Sequence, residues 1–241
     1  MALMRISDLS DDLLIKILSF LPTKVAVSTS ILSKQWQFLW MWLPKLEYDD
    51  SDIAKPLSSW LRYEEFIDKK LPLHRAPVLE TLLLSFVRNR LSQPEKIKLW
   101  VEIAVSRFVR EVSVGYFNSN EELFLSLPSS LYAACDSLMA LKLEGKNILV
   151  DVPPRTVYLP CLKTLQLRCV TYANEASLPL LLSHCPVLED LFIERDDEDD
   201  NVGVIVVNVP SLQRLSLEID GDCSSDDEYV IVTYLVAQKF S

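Results

Sequence analysis

The sequence predicts an α/β protein, in which a small helical module at the N-terminus precedes a stack of short parallel strands. Two patterns carry this prediction: apolar residues recur at helical spacing over residues 10–40, and an apolar-x-x-apolar-x-apolar motif returns from residue 79 onward. The 241-residue chain is 49% apolar and 24% charged, which is typical of a folded protein that buries a sizeable core. That composition excludes a wholly disordered chain.

The first predicted helix covers residues 10–21. Its start is favoured by Ser10, which can cap the helix, and its end by Pro22. The apolar residues of this segment fall on one helical face: Leu13, Leu14, Ile17, Leu18 and Leu21. This spacing predicts an amphipathic helix.

A second predicted helix begins at Thr23, which can cap it, and the segment is closed by Pro44. Its apolar residues also recur at helical spacing: Val27, Ile31, Leu32, Trp36, Leu39 and Trp40. Two short helices cannot bury this much apolar surface against each other. Packing within a larger domain is one interpretation, but a small module at a chain end favours a helical hairpin that docks on a partner.

Four short motifs stand out within about residues 6–46: ISDLSDDLL at 6–14, ILSFLPTK at 17–24, ILSKQW at 31–36 and the pair Leu39-Trp40. Together they resemble a plant F-box. The resemblance implies a three-helix F-box that binds a Skp-type adaptor and, through it, a cullin scaffold and a RING subunit. Ser10 stands where the family usually has proline, and because both residues suit a helix start we expect little loss of binding.

The resemblance also implies which residues form the adaptor-binding surface and the core of the module. The candidates are Leu9, Leu13, Leu14, Ile17, Leu18, Pro22, Ile31, Leu32 and Trp36. The sequence leaves open which of them face the adaptor and which face inward.

A polar break at residues 49–52 separates this module from the rest of the chain. Residues 58–71 are then predicted to form a helix, with an apolar side made of Trp60, Tyr63, Phe66, Ile67 and Leu71. We therefore expect an adaptor-binding module over 1–48, a linker with a connecting helix over 49–75, and a repeat domain over 76–241.

Six copies of the apolar-x-x-apolar-x-apolar motif follow at intervals of 24 to 30 residues, close to the spacing of leucine-rich repeats. The copies are Leu79-Leu82-Leu84, Val109-Val112-Val114, Leu138-Leu141-Leu143, Leu162-Leu165-Leu167, Leu188-Leu191-Ile193 and Leu212-Leu215-Leu217. Each copy predicts one short strand, whose inward side chains are buried only when neighbouring copies stack. Chance recurrence of leucine is the alternative, but turn residues precede the strands at matching offsets, as in Pro160-Cys161-Leu162 and Pro186-Val187-Leu188.

These motifs predict a short, irregular leucine-rich-repeat solenoid with a parallel β-sheet on its concave face and helices at 94–105 and 178–184 on its outer face. LPCLKTL at 159–165 and LLSHCPVLEDL at 181–191 resemble the leucine-rich region of plant F-box proteins of the FBD type. In that family further repeats and an FBD region would follow. The apolar run at 229–237 departs from the repeat pattern instead, so we expect a truncated product with its last repeat exposed.

Charge and motif content exclude several classes of function. The net charge of −10 is concentrated in residues 189–241, which carry −11, and this balance argues against an extended nucleic-acid interface. The four glycines are too far apart for GxGxxG, GxxxxGK[ST] or GxSxG motifs. With no signal-peptide pattern and no apolar run of about 20 residues, we expect a cytoplasmic or nuclear protein with reduced thiols and no membrane partner.

Few residues are candidates for chemistry. His184 and Cys185, with Cys161 and Cys169 upstream, lack paired zinc-ligand spacings and are predicted to pack within the repeats. His74 is predicted to lie at the surface. Because no motif marks a nucleophile, a base or a ligand set, the sequence predicts no catalytic residue, no metal and no cofactor.

An acidic stretch at 194–200 is predicted to lie in the connection between the fifth and sixth repeats, and a second acidic cluster covers 220–228. Solvated loops are one interpretation, and a patch that binds a basic substrate is the other. The residues that would flank such a patch on the concave side are Asp190, Phe192, Glu194, Arg214, Ser216 and Glu218. They are the candidates for substrate binding.

Together the two resemblances imply a non-catalytic substrate receptor of an SCF-type (Skp-cullin-F-box) ubiquitin ligase. The F-box would bind the adaptor and the repeats a protein substrate, so that proximity promotes ubiquitin transfer. The alternative is a truncated, non-productive F-box protein that occupies the adaptor as a decoy or regulator. The two differ in whether a substrate co-purifies with the chain and gains ubiquitin.

Overall fold

The computed structural model describes residues 6–50, 57–86, 93–118, 122–153, 157–196, 204–220 and 231–234. The α-helices are α1 (Asp11–Leu18), α2 (Thr23–Ser28), α3 (Leu57–Lys70), α4 (Pro94–Val105), α5 (Ser129–Ala133) and α6 (Ser177–Ser183). Short 3₁₀ helices cover Ile6–Asp8, Thr29–Ile31, Trp36–Trp42 and Leu71–Leu73. The strands are β1 (Lys45–Asp49), β2 (Thr81–Phe86), β3 (Glu111–Tyr116), β4 (Leu125–Ser126), β5 (Ala140–Glu144), β6 (Ile148–Val150), β7 (Thr164–Arg168), β8 (Thr171–Tyr172), β9 (Asp190–Asp196), β10 (Val204–Val207), β11 (Arg214–Asp220) and β12 (Ile231–Tyr234).

Every copy of the repeat motif supplies one strand of a seven-stranded sheet, in the order β1-β2-β3-β5-β7-β9-β11. The strands pair in parallel with motif beside motif, so Leu141 of β5 lies between Val112 of β3 and Leu165 of β7. From β2 to β9 the last two apolar residues of each motif are almost completely buried. The predicted parallel sheet is confirmed, and its register aligns the outward-facing residues into rows across the strands.

Helices and short strands cover the buried side of the sheet. α4 has the predicted bounds of 94–105, and α6 begins one residue before the predicted 178–184. Two small parallel sheets, β4-β6-β8 and β10-β12, have no counterpart in the sequence prediction. β12 takes in part of the apolar run at 229–237, whose other residues lie outside the described ranges.

β1 extends the sheet into the segment predicted as the N-terminal module. It pairs in parallel with β2, Lys45 beside Thr81, and the predicted boundary at residue 48 falls inside it. Leu43, Leu46 and Tyr48 repeat the apolar-x-x-apolar-x-apolar motif, and all three are buried. Backbone hydrogen bonds therefore join the module directly to the repeat sheet.

The predicted long second helix of the module is wrong. α2 ends at Ser28, whose hydroxyl donates to the Val25 carbonyl at 2.6 Å. Thr29 donates to the Ala26 carbonyl at 2.7 Å in the same way, and such side-chain bonds compete with continued helix. The chain turns, and Trp36–Trp42 forms a separate 3₁₀ helix that packs against α1.

Neither predicted cap forms. Ser10 stands at the N-cap position with extended backbone, but its side chain makes no capping hydrogen bond. Thr23 is the first residue of α2 rather than its cap, and its hydroxyl oxygen accepts a 2.7 Å hydrogen bond from the backbone N–H of Glu47. Because Glu47 lies in β1, Thr23 ties α2 to the sheet.

The connecting helix α3 lies within one residue of its predicted bounds. Two of its carboxylates, Glu64 and Asp68, each lie 3.1 Å from the ammonium of Lys96 in α4. Asp68 also accepts a 2.8 Å hydrogen bond from the indole N–H of Trp100. These contacts hold the connecting helix against the first repeat helix.

His74 is buried, so the expectation of a surface residue is wrong. Its Nε2 lies 2.7 Å from the carbonyl oxygen of Leu43, which can only accept, so Nε2 carries the hydrogen. Nδ1 is buried and has no hydrogen-bond partner among the described residues. Burial is the main cause that lowers the pKa of His74; the bond to Leu43 opposes it, and the nearby charge of Arg107 adds to it.

We expect the fold to lose stability in acid because of His74. Its ordinary pKa is 6.5, so below about pH 6.5 the unfolded chain binds a proton that the folded chain resists, and the free energy of unfolding falls as the pH falls. Urea unfolding at about pH 8 and about pH 5.5 measures this loss in the wild type, in His74→Gln and, as a control, in His184→Gln. Equal pH dependence in the wild type and His74→Gln would contradict the prediction.

Candidate functional site

Several large apolar side chains of the N-terminal module are exposed to solvent. Ile31 is 87% exposed, and Leu13, Ile17 and Leu32 are exposed as well. Pro22 between the two helices is also exposed. All five belong to the candidates for adaptor binding, and we call them the exposed module set.

The remaining candidates lie inward. Leu14 and Leu18 are fully buried, and Trp36 is 6% exposed, so these three contribute to the core of the module. Leu9 is partly buried against that core, and its carbonyl accepts a 3.2 Å hydrogen bond from the Gln35 amide. The structure thus separates the core residues from the exposed ones, a division that the sequence leaves open.

Further exposed apolar residues of the module are missing from the predicted set: Ile6, Phe20, Leu21, Val25, Phe38 and Trp42. Phe20 is 80% exposed and lies in the turn after α1, where its backbone N–H donates a 3.2 Å hydrogen bond to the carbonyl of Ile17, three residues before it. This spacing is the signal from which Phe20 could have been found.

A second candidate site lies on the outward face of the sheet, where β7, β9 and β11 pair. One register row contains Thr164, Asp190 and Arg214. The next contains Gln166, Phe192 and Ser216, and the third Arg168, Glu194 and Glu218. The six candidates for substrate binding therefore lie together on two neighbouring strands, as the alternation of side chains along a strand predicts.

The first two rows line a shallow depression with a volume of about 650 Å³, which we call the Phe192 depression. From the predicted set its lining contains Asp190, Phe192, Arg214 and Ser216. Glu194 and Glu218 stand in the third row, outside the lining. Gln166 also lines the depression and is missing from the prediction, although the same alternation on β7 could have found it.

Ion pairs and an aromatic ring define the chemistry of this face. The guanidinium of Arg214 binds both carboxylate oxygens of Asp190, with Nη2 2.5 Å from Oδ2. The guanidinium of Arg168 lies over the Phe192 ring, 4.8 Å from its centroid, and Nε of Arg168 is 3.6 Å from a carboxylate oxygen of Glu194. The result is an aromatic ring under a guanidinium, beside charges that already have partners.

The acidic stretch predicted as a connection begins inside a strand instead, because β9 runs to Asp196. Glu194 is therefore a sheet residue. The rest of that stretch, and the second cluster beyond Asp220, lie outside the described residues.

The prediction that the histidine and cysteines of the repeats pack within them is wrong for Cys161, whose side chain is exposed, while Cys185 and His184 make local contacts. Cys185 is buried, and its thiol donates to the Leu181 carbonyl at 3.2 Å; burial raises the pKa of this thiol to about 12. Nδ1 of His184 lies 2.9 Å from the Leu180 carbonyl. Within the described ranges no three His, Cys, Asp or Glu side chains form a group that could hold a metal ion. The helices described there are also too short or too polar to cross a membrane.

Comparison with known proteins identifies both parts of the chain. A family model of the F-box domain matches residues 6–48, and the family model described as "FBD-associated F-box protein At5g56370, LRR repeats" matches residues 97–235. The FBD-associated F-box protein At5g60610 of Arabidopsis thaliana is 53% identical over 229 residues, which cover 95% of this chain and 56% of that protein. The F-box protein At4g09920 of the same plant is 51% identical over 228 residues, which cover 95% of this chain and 69% of that protein.

The two matches include both candidate sites, since the exposed module set lies within residues 6–48 and β7, β9 and β11 lie within 97–235. The chain spans about half the length of the FBD-associated relatives that it matches. The chain belongs to the FBD-associated F-box proteins and combines an N-terminal F-box domain with leucine-rich repeats.

Proposed function

We propose that this chain is the substrate-receptor subunit of an SCF-type ubiquitin ligase. The F-box binds a Skp-type adaptor, which links it to the cullin and RING subunits, and the repeats bind a protein substrate. The observation that supports this role best is the exposed module set. Its apolar side chains are exposed to solvent, and a bound partner would bury them: Leu13, Ile17, Ile31 and Leu32. Moving apolar surface out of water is favourable by about 25 cal/mol of transfer free energy for each Å² that is covered.

The mechanism that we propose is proximity, with no covalent chemistry on this chain. β1 and the bond between Thr23 and Glu47 join the F-box to the repeats, and the contacts between α3 and α4 hold the connecting helix against the first repeat helix. A substrate on the repeats is thereby held in a defined orientation to the adaptor, which raises the effective concentration of its lysines at the transfer site. The proposal places the chain in the cytoplasm, the nucleus or both.

Binding to a purified Skp-type adaptor tests the adaptor role. We expect the double variant Leu13→Asp/Ile31→Asp to bind at least about 100-fold more weakly, because each change places a carboxylate where an apolar side chain would be buried. Leu99→Asp is the matched control, since Leu99 is a comparably exposed leucine on α4, and it should bind like the wild type. Trp36 is unsuitable for this test because it is buried in the module.

Circular dichroism spectra of the three proteins establish that each is folded before binding is compared. A folded wild type that does not bind the adaptor would remove the ligase role. A double variant that binds as tightly as the wild type would place the adaptor site elsewhere on the chain.

The decoy remains the second candidate, and a separate experiment distinguishes it. A ligase reconstituted with this chain is supplied with the proteins that co-purify with the chain. Ubiquitin on one of them, and its absence when Leu13→Asp/Ile31→Asp replaces the wild type, would support the receptor. Adaptor binding without any ubiquitinated protein would support the decoy.

A further inference from the structure

We infer that Gln35 is a positioning residue for adaptor binding, which holds the two parts of the exposed module set in one relative arrangement. This inference rests on the proposed function, since it concerns the same adaptor surface. The set comes from two segments of the chain: α1, with Leu13 and Ile17, and the 3₁₀ turn after α2, with Ile31 and Leu32. A partner that contacts both segments binds best when their relative position is fixed before binding.

The side-chain amide of Gln35 bridges the start of α1. Its Nε2 lies 3.2 Å from the carbonyl oxygen of Leu9 and 3.2 Å from Oδ1 of Asp11. At neutral pH a backbone carbonyl and a carboxylate only accept hydrogen bonds, so the nitrogen of the amide faces them and donates one hydrogen to each. Asp11 is the first residue of α1, and Leu9 precedes the helix. The amide therefore holds both sides of the point at which the helix begins.

This bridge is needed because the start of α1 lacks the usual cap. Ser10 stands at the N-cap position and makes no side-chain capping bond. Leu14 and Leu18 are fully buried and hold α1 against the core of the module. Apolar contacts are not directional, however, whereas hydrogen bonds weaken steeply away from their preferred angle. The two bonds from Gln35 are thus directional contacts that fix where α1 begins.

The backbone of Gln35 connects the bridge to the second segment. Gln35 lies three residues after Leu32 and directly before Trp36, which is buried and begins the 3₁₀ helix Trp36–Trp42. Because Trp36 anchors the main chain in the core, the amide of Gln35 reaches across to α1 from a fixed point. Its bonds therefore link the segment of Leu32 to the segment of Leu13.

Loss of the bridge would leave the two segments in several relative arrangements, of which the adaptor binds one. The apparent affinity would then fall in proportion to the fraction of molecules in the competent arrangement. This loss appears in the association rate, because the contacts within the bound complex are unchanged. A residue that touches the adaptor directly would change the dissociation rate instead.

Surface plasmon resonance of the full chain with a purified Skp-type adaptor measures both rates. Gln35→Glu keeps the shape of the side chain but places an acceptor against two acceptors, and we expect at least about 10-fold slower association with little change in dissociation. Gln35→Ala only removes the donors and should associate about 3- to 5-fold more slowly. Gln35→Lys again supplies donors to both oxygens and should associate within about twofold of the wild type.

Gln37 provides matched controls, since it is exposed on the same 3₁₀ helix and makes no side-chain hydrogen bond with the described residues. Gln37→Glu and Gln37→Lys introduce the same charges two residues away and should bind like the wild type, which separates the bridge from a general effect of charge. Urea unfolding followed by tryptophan fluorescence establishes that every variant is folded.

Hydrogen–deuterium exchange of the free chain tests the positioning without the adaptor. We expect the amides of residues 9–14 to exchange faster in Gln35→Glu than in the wild type or Gln37→Glu. Unchanged exchange, wild-type association by Gln35→Glu, a loss confined to the dissociation rate, equal weakening by Gln37→Glu, or no rescue by Gln35→Lys would each overturn the inference and leave the adaptor role intact. A folded wild type that does not bind the adaptor would overturn both.

Discussion

Gly145→Ala is expected to lower the free energy of unfolding by at least about 3 kcal/mol. Gly145 follows β5 with a φ of +127°, a conformation that L-residues rarely adopt. A Cβ atom added there would lie 2.1 Å from the carbonyl oxygen and 2.9 Å from the carbonyl carbon of Tyr116. Both are backbone atoms of β3, so the clash can be relieved only by moving a strand of the sheet.

Gly115→Ala is the matched control for this prediction. A Cβ atom at Gly115 would meet Ser85 at 3.8 Å, which is an ordinary contact. We expect this variant to stay within about 1 kcal/mol of the wild type, since a glycine inside a strand contributes little packing. Urea unfolding followed by tryptophan fluorescence measures both variants. A Gly145→Ala protein with the wild-type midpoint would show that the approach of Gly145 to Tyr116 is not close.

The repeat strands could be predicted because apolar and polar residues alternate in each motif, as they do in a strand with one buried face. Leu141 and Leu165 lie side by side and are fully buried, as the motif requires. β1 has the same motif at Leu43, Leu46 and Tyr48, but this segment adjoins the F-box pattern, which led to its assignment to the N-terminal module. Its pairing with β2 is a tertiary contact that local sequence does not encode.

Exposure in the F-box could not be predicted from periodicity alone. Ile31 and Trp36 belong to one apolar run, yet Ile31 is 87% exposed and Trp36 is 6% exposed. The hydroxyl bonds of Ser28 and Thr29 lie where α2 ends, before both residues. Ile31 then belongs to one 3₁₀ helix and Trp36 to another, so a single helical wheel no longer describes the run. The burial of His74 could not be predicted from local sequence either, because its hydrogen-bond partner, the carbonyl of Leu43, lies 31 residues away in the chain.

On the sheet face, alternation predicted which side chains point outward, and the register then placed Asp190, Phe192, Arg214 and Ser216 together. Which of the charged side chains form ion pairs could not be predicted in the same way. The ion pair between Arg214 and Asp190 joins residues 24 positions apart, so no local pattern reveals it.

Lys96→Met is expected to lower the free energy of unfolding by about 2 to 3 kcal/mol. Methionine keeps the aliphatic bulk of the lysine, but the change removes the cation that both Glu64 and Asp68 contact at 3.1 Å. Glu64 is 4% exposed, and its Oε1 has no hydrogen-bond partner among the described residues, so its carboxylate would remain buried without an opposite charge. The estimate lies below that for a fully buried pair because Lys96 and Asp68 are partly exposed.

Two further variants make this prediction specific to the buried charge. Lys69→Met breaks the exposed pair between Lys69 and Glu65 on the same helix, and we expect a loss of less than about 0.5 kcal/mol. Lys96→Met/Glu64→Leu removes the buried carboxylate together with its partner and should recover most of the lost stability. Urea unfolding of the four proteins at neutral pH gives the comparison. A double variant no more stable than Lys96→Met would show that packing of the lysine chain, rather than its charge, holds α3 against α4.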